Sequence, residues 1–425
     1  LTHRIAFSSF QIPMSSFSWL DYSEHERRRM LEVVDLFKEK DTRDELGLGG
    51  IRDAFANLFF PGTSTIMTRA RYFLLVPWTY LRMEGKKVGS RLIAERARQA
   101  ETGLIEPIEA SDDSDGNIGR RAGATVKRLP SSVYWQGMWV WGIRTFSGSQ
   151  DQYHRNLDRF YEQSKRHGGR MMERDTEHDD IAACNWHPSL SQGMGPPEDF
   201  PTACTLSLSR KEAEFLRERI RLSPSSAGTL LDELVTRRKR HDLVAFPWQH
   251  PNVADLPKGI QEMLHHAQNF SELLHGASLL YNLILAEESK SKELIDDFDS
   301  RLEDWAAAFF SRGLAFQEWN QARFWEIAHN GNPRISMGSQ EFVNAWWSLV
   351  LSSEPAAIKK SRPARALITE RERRLKKALA RIGNPRAQEI WAGDSGSGAM
   401  EFRWITAQRL LNDVFDGLEA DHVKT

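Results

Sequence analysis

The densest concentration of groups able to do chemistry runs from Asp41 to Asp53. There four carboxylates (Asp41, Asp44, Glu45 and Asp53) and two guanidiniums (Arg43 and Arg52) surround the turn Gly47-Leu-Gly-Gly50. Carboxylates held near arginines can stay ionised, and glycines let a ligand come close to the backbone. The plain alternative is a solvated helix end with local ion pairs. The glycines are not a nucleotide fingerprint, because no GxGxxG or GK[ST] pattern follows a strand.

A second candidate lies just downstream. Pro61-Gly62 makes a turn, the hydroxyls Thr63, Ser64 and Thr65 are placed to cap a following helix, and Arg69 and Arg71 come next. A helix start with free amides, hydroxyls and guanidiniums is a phosphate site, or else an ordinary cap beside two surface arginines. From Lys127 and Arg128 through Tyr134, Trp135, Trp139 and Trp141, basic and aromatic groups interleave. Such surfaces stack unpaired bases, although aromatics at this spacing also build cores. Gln152, Tyr153 and His154 could read a base edge or cap a helix. Gln268, Ser271, His275, Ser278 and Asn282 recur at steps of three and four, so they form one polar stripe on an otherwise apolar helix. That stripe is either the wall of a pocket or one side of an internal hydrogen-bond network. Finally, Lys359 to Arg381 holds ten Lys/Arg against two Glu, which suits a nucleic-acid backbone or a solvated face. Arg237-Arg238-Lys239-Arg240 has the same two readings. His178 and His187 near Cys184 lack metal-ligand spacing.

The elements that must position these groups are mainly helical, in a multi-helix globular protein with few short strands. Ser23-x-x-Glu26, Ser209-x-x-Glu212 and Thr369-x-x-Glu372 read as capping boxes that open helices. Periodicity predicts the longest helix over Met263–Glu287, with others over Glu293–Phe310 and Phe342–Leu351. Phe73–Val76 and Trp139–Ile143 carry the best strand signals, though helix fits both about as well. Glu109–Gly123, Met171–Pro201 and Ser352–Pro363 read as linkers. They divide the chain into an N-terminal unit (1–170), a central helical unit (205–350) and a basic C-terminal helical unit (355–425).

Composition limits the function classes. With 57 Lys+Arg against 58 Asp+Glu in 425 residues, the net charge is −1, so any nucleic-acid partner must be gripped by a local patch. Two cysteines, Cys184 and Cys204, give no disulfide framework and no structural zinc site, and fit a reducing compartment. Ile5–Leu20 does not have the form of a signal peptide, and no window approaches a membrane span. A cytoplasmic location is expected.

The stretches 44–66 and 68–72 resemble the hallmark of an uncharacterised prokaryotic family found in phage-defence islands. Leu129–Tyr134, Ser149–Arg155, Phe246–Pro251, His275–Glu287 and Arg403–Asp413 support the resemblance, which covers nearly the whole chain and is looser in the last third. The family includes a DNA glycosylase that excises glucosylated hydroxymethylcytosine from phage DNA. The resemblance therefore implies a metal-independent, cofactor-free enzyme that flips a modified cytosine out of double-stranded phage DNA and leaves an abasic site. Other defence-island proteins are further expected partners. The resemblance does not name the catalytic residue. Chemistry puts Asp44 or Glu45 first, then Asp41 and Asp53. DNA contacts are expected from Arg43, Arg52, Thr63, Ser64, Thr65, Arg69, Arg71, Lys127 and Arg128. The base or sugar pocket is expected from Tyr134, Trp135, Gln152, Tyr153, His154, His275, Ser278 and Asn282. A non-catalytic DNA-binding sensor or adaptor, and a metal-dependent nuclease, are the competing classes.

Overall fold

A computed structural model describes residues 44–171, 185–238 and 240–420. The chain forms two compact units, Leu1–Glu45 and Leu46–Thr425. Of the first unit, only Asp44 and Glu45 are described. Asp41, Arg43, His178, Cys184, Lys239 and the Ser23 capping box lie outside the described residues.

The second unit is built from α-helices. Its first half holds α1 (Gly49–Phe59), α2 (Tyr72–Gly85), α3 (Ile93–Thr102), α4 (Ile105–Glu109), α5 (Pro130–Val140) and α6 (Gln150–Met171). Next come α7 (Arg210–Leu222), α8 (Leu230–Arg237), α9 (Lys258–Ser289) and α10 (Lys292–Ser311). The series ends with α11 (Gly313–Gln317), α12 (Gln321–Gly331), α13 (Met337–Ser352), α14 (Arg362–Lys376), α15 (Pro385–Gln388) and α16 (Trp404–Glu419). Among the described residues strand pairing is limited to one isolated bridge, Arg144 to Trp186. Phe73–Val76 is helical within α2, and Trp139 and Val140 end α5.

The 32-residue α9 runs through the core. Leu273, Leu274, Ala277, Leu279, Leu280 and Tyr281 are all fully buried, so the helix is apolar on most sides because it is covered on most sides. It packs on α10, α13 and α14. At Gly276 the approach of α10 is so close that a Cβ would lie 2.4 Å from the Trp305 ring. Elsewhere α1 packs on α12, α2 on α3 and α5, and α7 on α16 and α8. One hydrophobic cluster runs through residues of all three expected stretches.

The capping signals divide. Ser209 and Glu212 form the reciprocal box that starts α7. Thr369 does not start a helix: α14 opens at Ser361, whose hydroxyl accepts from Ala364 N, and Thr369 lies in mid-helix, donating to Arg365 O at 2.9 Å. Its would-be partner Glu372 is buried and has another task, taken up below. No helix among the described residues is long and apolar enough to cross a membrane.

Candidate functional site

On α1, Ile51, Ala54, Phe55 and Phe59 point inward, which leaves Asp53 and Asn57 one turn apart on the opposite face. Asp53 is about one-third exposed, at 35%. Its Oδ1 accepts from Arg52 Nε at 3.3 Å and Nη2 at 3.2 Å, and lies 3.5 Å from Arg403 Nη2. Arg403 Nη1 also donates to Asn57 Oδ1 at 2.7 Å and to Thr63 O at 3.1 Å. Burial pulls the Arg403 guanidinium below its ordinary value, and the Asp53 charge opposes that pull.

Arg403 reaches this position through an unusual backbone. Phe402 and Arg403 have φ of 53° and 66°, two consecutive non-glycine residues in the left-handed region. Such conformations are costly and persist where packing over-determines them. Here Phe402 is buried against the rings of Phe55, Phe59 and Trp248. The strained pair thus turns the chain into α16 while aiming Arg403 across at α1.

The hydroxyl run behaves differently from expectation. It caps no helix among the described residues: Thr63 is buried and donates to Phe60 O at 2.7 Å, and Ser64 Oγ is buried with no partner among the described residues. Thr65 is exposed. The helix start that follows is already occupied by an anion of the protein itself. Asp413 accepts from Ala70 N at 2.7 Å and from Arg69 Nε at 2.9 Å. Asp113 takes Arg69 Nη1 and Nη2, both at 2.6 Å. Arg71 donates to Glu212 at 2.8 Å and to Thr205 O at 3.0 Å. Both guanidiniums are thus engaged inside the fold, where they tie α2 to α16 and α7; they are not turned outward to phosphate. Burial pushes the Asp413 carboxyl up to about 6 despite the Arg69 charge.

The aromatic candidates form a packed internal network. The Tyr134 hydroxyl accepts from Thr68 N and Arg69 N, at 2.9 and 3.1 Å, and donates to Arg69 O at 2.8 Å. Trp135 lies under the Arg144 guanidinium, 4.6 Å from ring centroid to carbon. Burial lowers that guanidinium to about 10. Tyr153 donates to Glu84, and His154 Nε2 meets the Tyr80 hydroxyl at 2.9 Å. Gln150 bridges Tyr80 and Ser131, and Ser131 N donates to Glu101 at 2.7 Å. Gln152 is exposed and accepts from Ser149 N at 2.8 Å, at the start of α6. Lys127 and Arg128 stand exposed on the loop before α5.

The stripe on α9 is met by the 391–402 loop. Ser271 donates to Met400 O at 2.9 Å, and Asn282 exchanges bonds with Ser395, 3.1 Å to its O and 2.9 Å from its N. Ser278 donates back to Leu274 O. His275 bonds the Ser397 backbone and also lines a groove of about 470 Å³ between α9 and α10, with Glu272, Arg301, Asp304, Trp305 and Arg312. Burial lowers the His275 imidazole, Arg301 lowers it further, and the Ser397 bond opposes both. Ser271 and Asn282 are therefore buried in an internal network, whereas Gln268, His275 and Ser278 are part-exposed and His275 lines the groove.

The stretches that carried the resemblance converge here: Asp53 with Arg403, Arg69 with Asp413, and Tyr134 with the Thr68–Arg69 backbone. His250 and Phe60 both pack on Trp404. Residues 14–417 match the model of a family of unknown function, DUF6361. The chain belongs to DUF6361. No curated protein and no solved structure matches it.

In this DUF6361 chain the residues that reasoning from sequence missed are Asn57, Arg403, Asp113 and Asp413. Arg403 and Asp413 lie in the last resembling stretch, a weak pointer to their position. Nothing in Glu401-Phe-Arg-Trp404 signals a left-handed pair, since neither residue is Gly or Asn.

Proposed function

We propose that this DUF6361 chain is a DNA glycosylase of anti-phage defence, excising glucosylated hydroxymethylcytosine from double-stranded phage DNA and leaving an abasic site. The choice of base comes from the family resemblance. The observation that carries the chemistry is Asp53, a part-exposed carboxylate held at the surface by Arg403 from a strained turn and flanked by Arg52 and Asn57.

In this reading the target nucleotide is flipped out so that its C1′ meets the carboxylate. The C1′–N1 bond breaks with its electron pair leaving on the base, and Asp53 stabilises the oxocarbenium-like sugar. Water adds to C1′, and its proton passes to the departing base. Arg52, 43% exposed, reaches for a phosphate, whereas Arg403 positions Asp53. Lys127 and Arg128 add backbone contacts. Asp44 and Glu45, in the first unit, are the other candidate carboxylates.

The test is abasic-site formation on modified DNA by the wild type and by Asp53→Asn, Asp44→Asn and Glu45→Gln. Loss of roughly a hundredfold or more in the Asp53 variant, with DNA binding retained, is expected. Full activity of that variant moves the carboxylate role to Asp44 or Glu45. No abasic sites from the wild type, with tight DNA binding, leaves a sensor or adaptor.

A further inference from the structure

We infer that Leu379 is a wedge that enters the DNA base stack, presented by a rigid cationic turn at the end of α14. The inference rests on the DNA reading above and adds a residue with a separable role. Leu379 is 74% exposed. It sits in the turn Lys377–Leu379, directly after a helix whose last turn holds Arg373, Arg374 and Lys376. Arg373 and Arg374 pair with Glu370, and Arg373, Arg374 and Lys376 are all exposed or half-exposed.

The turn is held firmly from behind. The buried Glu372 accepts from Arg381 N at 2.9 Å, from Ile382 N at 3.0 Å and from the Tyr281 hydroxyl of α9 at 2.7 Å. Asn384 Nδ2 donates to Ala378 O at 3.2 Å. Ala380, the next residue, is buried. Lys377 itself has φ 51° and ψ −117°, a conformation a lysine adopts only when its surroundings impose it. What sets Leu379 apart from other exposed apolar side chains, such as Phe310 and Met337, is the pinned and strained turn that carries it.

Two partners combine cations with an exposed apolar group. A lipid surface needs a broad apolar face, and here Leu379 at the tip is joined by Leu375, 41% exposed one turn back, among cations. A duplex needs a single wedge between cations that hold the backbone, because apolar side chains part and unstack base steps. When a base is flipped, the wedge fills the gap it leaves. The helix that carries the turn touches the Gly47 turn ahead of α1: the Leu375 methyls lie about 3 Å from where a Cβ at Gly47 would sit, and Arg371 donates to Gly47 O. The duplex is therefore the occupant we argue for.

The experiment uses the full chain and a duplex with 2-aminopurine next to the modified cytosine. The wild type should raise 2-aminopurine fluorescence on binding. Leu379→Ala should bind with affinity within about twofold, lose that rise, and excise at least roughly tenfold more slowly, with Leu379→Met restoring both. A triple Arg373→Gln, Lys376→Gln, Lys377→Gln variant should flatten the dependence of log affinity on log salt by roughly 2 to 3. Circular dichroism checks that each variant folds. Wild-type flipping and excision by Leu379→Ala overturn the wedge while leaving the glycosylase reading intact. An unchanged salt slope overturns the cationic cradle. Binding to anionic phosphatidylserine vesicles but not to duplex replaces the partner with a membrane, and no DNA binding by the wild type removes both readings.

Discussion

Replacing Glu101 by glutamine isolates one buried charge and its cost. Glu101 is 1% exposed; one carboxyl oxygen accepts from Ser131 N at the start of α5, and Oε1 has no partner among the described residues. Burial pushes this carboxyl from 4.5 up to about 7, against the Ser131 bonds and the Arg98 charge. A raised carboxyl favours the neutral, folded form, so its contribution is complete below about pH 4.5 and is lost as pH rises through about 7. Integrating between those two values, the folded state loses about 2 kcal/mol between roughly pH 5.5 and 8.5 from this group alone. Glutamine keeps an oxygen for Ser131 N and cannot titrate. Urea unfolding of the wild type and Glu101→Gln at both pH values should therefore show the difference between them moving by about 2 kcal/mol in the variant's favour. The other titrating groups, Asp413 among them, cancel because both proteins carry them. A difference that stays constant with pH, or that moves toward the wild type, would refute the reasoning.

Other expectations follow from the same geometry. Arg69→Ala leaves Asp413 and Asp113 without their guanidinium and should cost about 3–5 kcal/mol in chemical denaturation, as breaking a buried pair does; a loss under about 1 kcal/mol would show that the pair is not structural. Gly276→Ala drives a methyl into Trp305 and should cost roughly 1–3 kcal/mol, seen as a lower melting temperature; an unchanged melting point contradicts the packing of α9 on α10. Asn282→Ala frees both Ser395 backbone groups, so amide hydrogen exchange should quicken over residues 391–400 and not over α13. Arg403→Gln should retain the fold and lower excision through the placement of Asp53; activity equal to the wild type would remove Arg403 from the site.

The sequence made the helices legible because their signals are local. The apolar period of α9 and the Ser209 box of α7 are both present within a few residues of the elements they specify. What it could not show is which distant group answers each local one. Thr63–Arg71 reads as an anion site, and an anion is there, but it is Asp413, more than 340 positions away. Glu372 has the spacing of a capping carboxylate, yet three donors from α9 and the following turn claim it. The polar stripe on α9 was visible, whereas the loop that satisfies most of it has no periodicity of its own. Asp53 was legible as one of four carboxylates; its setting beside Arg403 depends on two left-handed residues that no composition rule marks.

The measurement that bears most directly on the central claim is free-base release. The wild-type chain, with chelator present, is mixed with glucosyl-hydroxymethylcytosine phage DNA and, separately, with unmodified DNA, and the products are read by mass spectrometry and an aldehyde probe. The account predicts released modified base and matching abasic sites from the first DNA alone. Intact DNA in both mixtures, or strand breaks without released base, would contradict it.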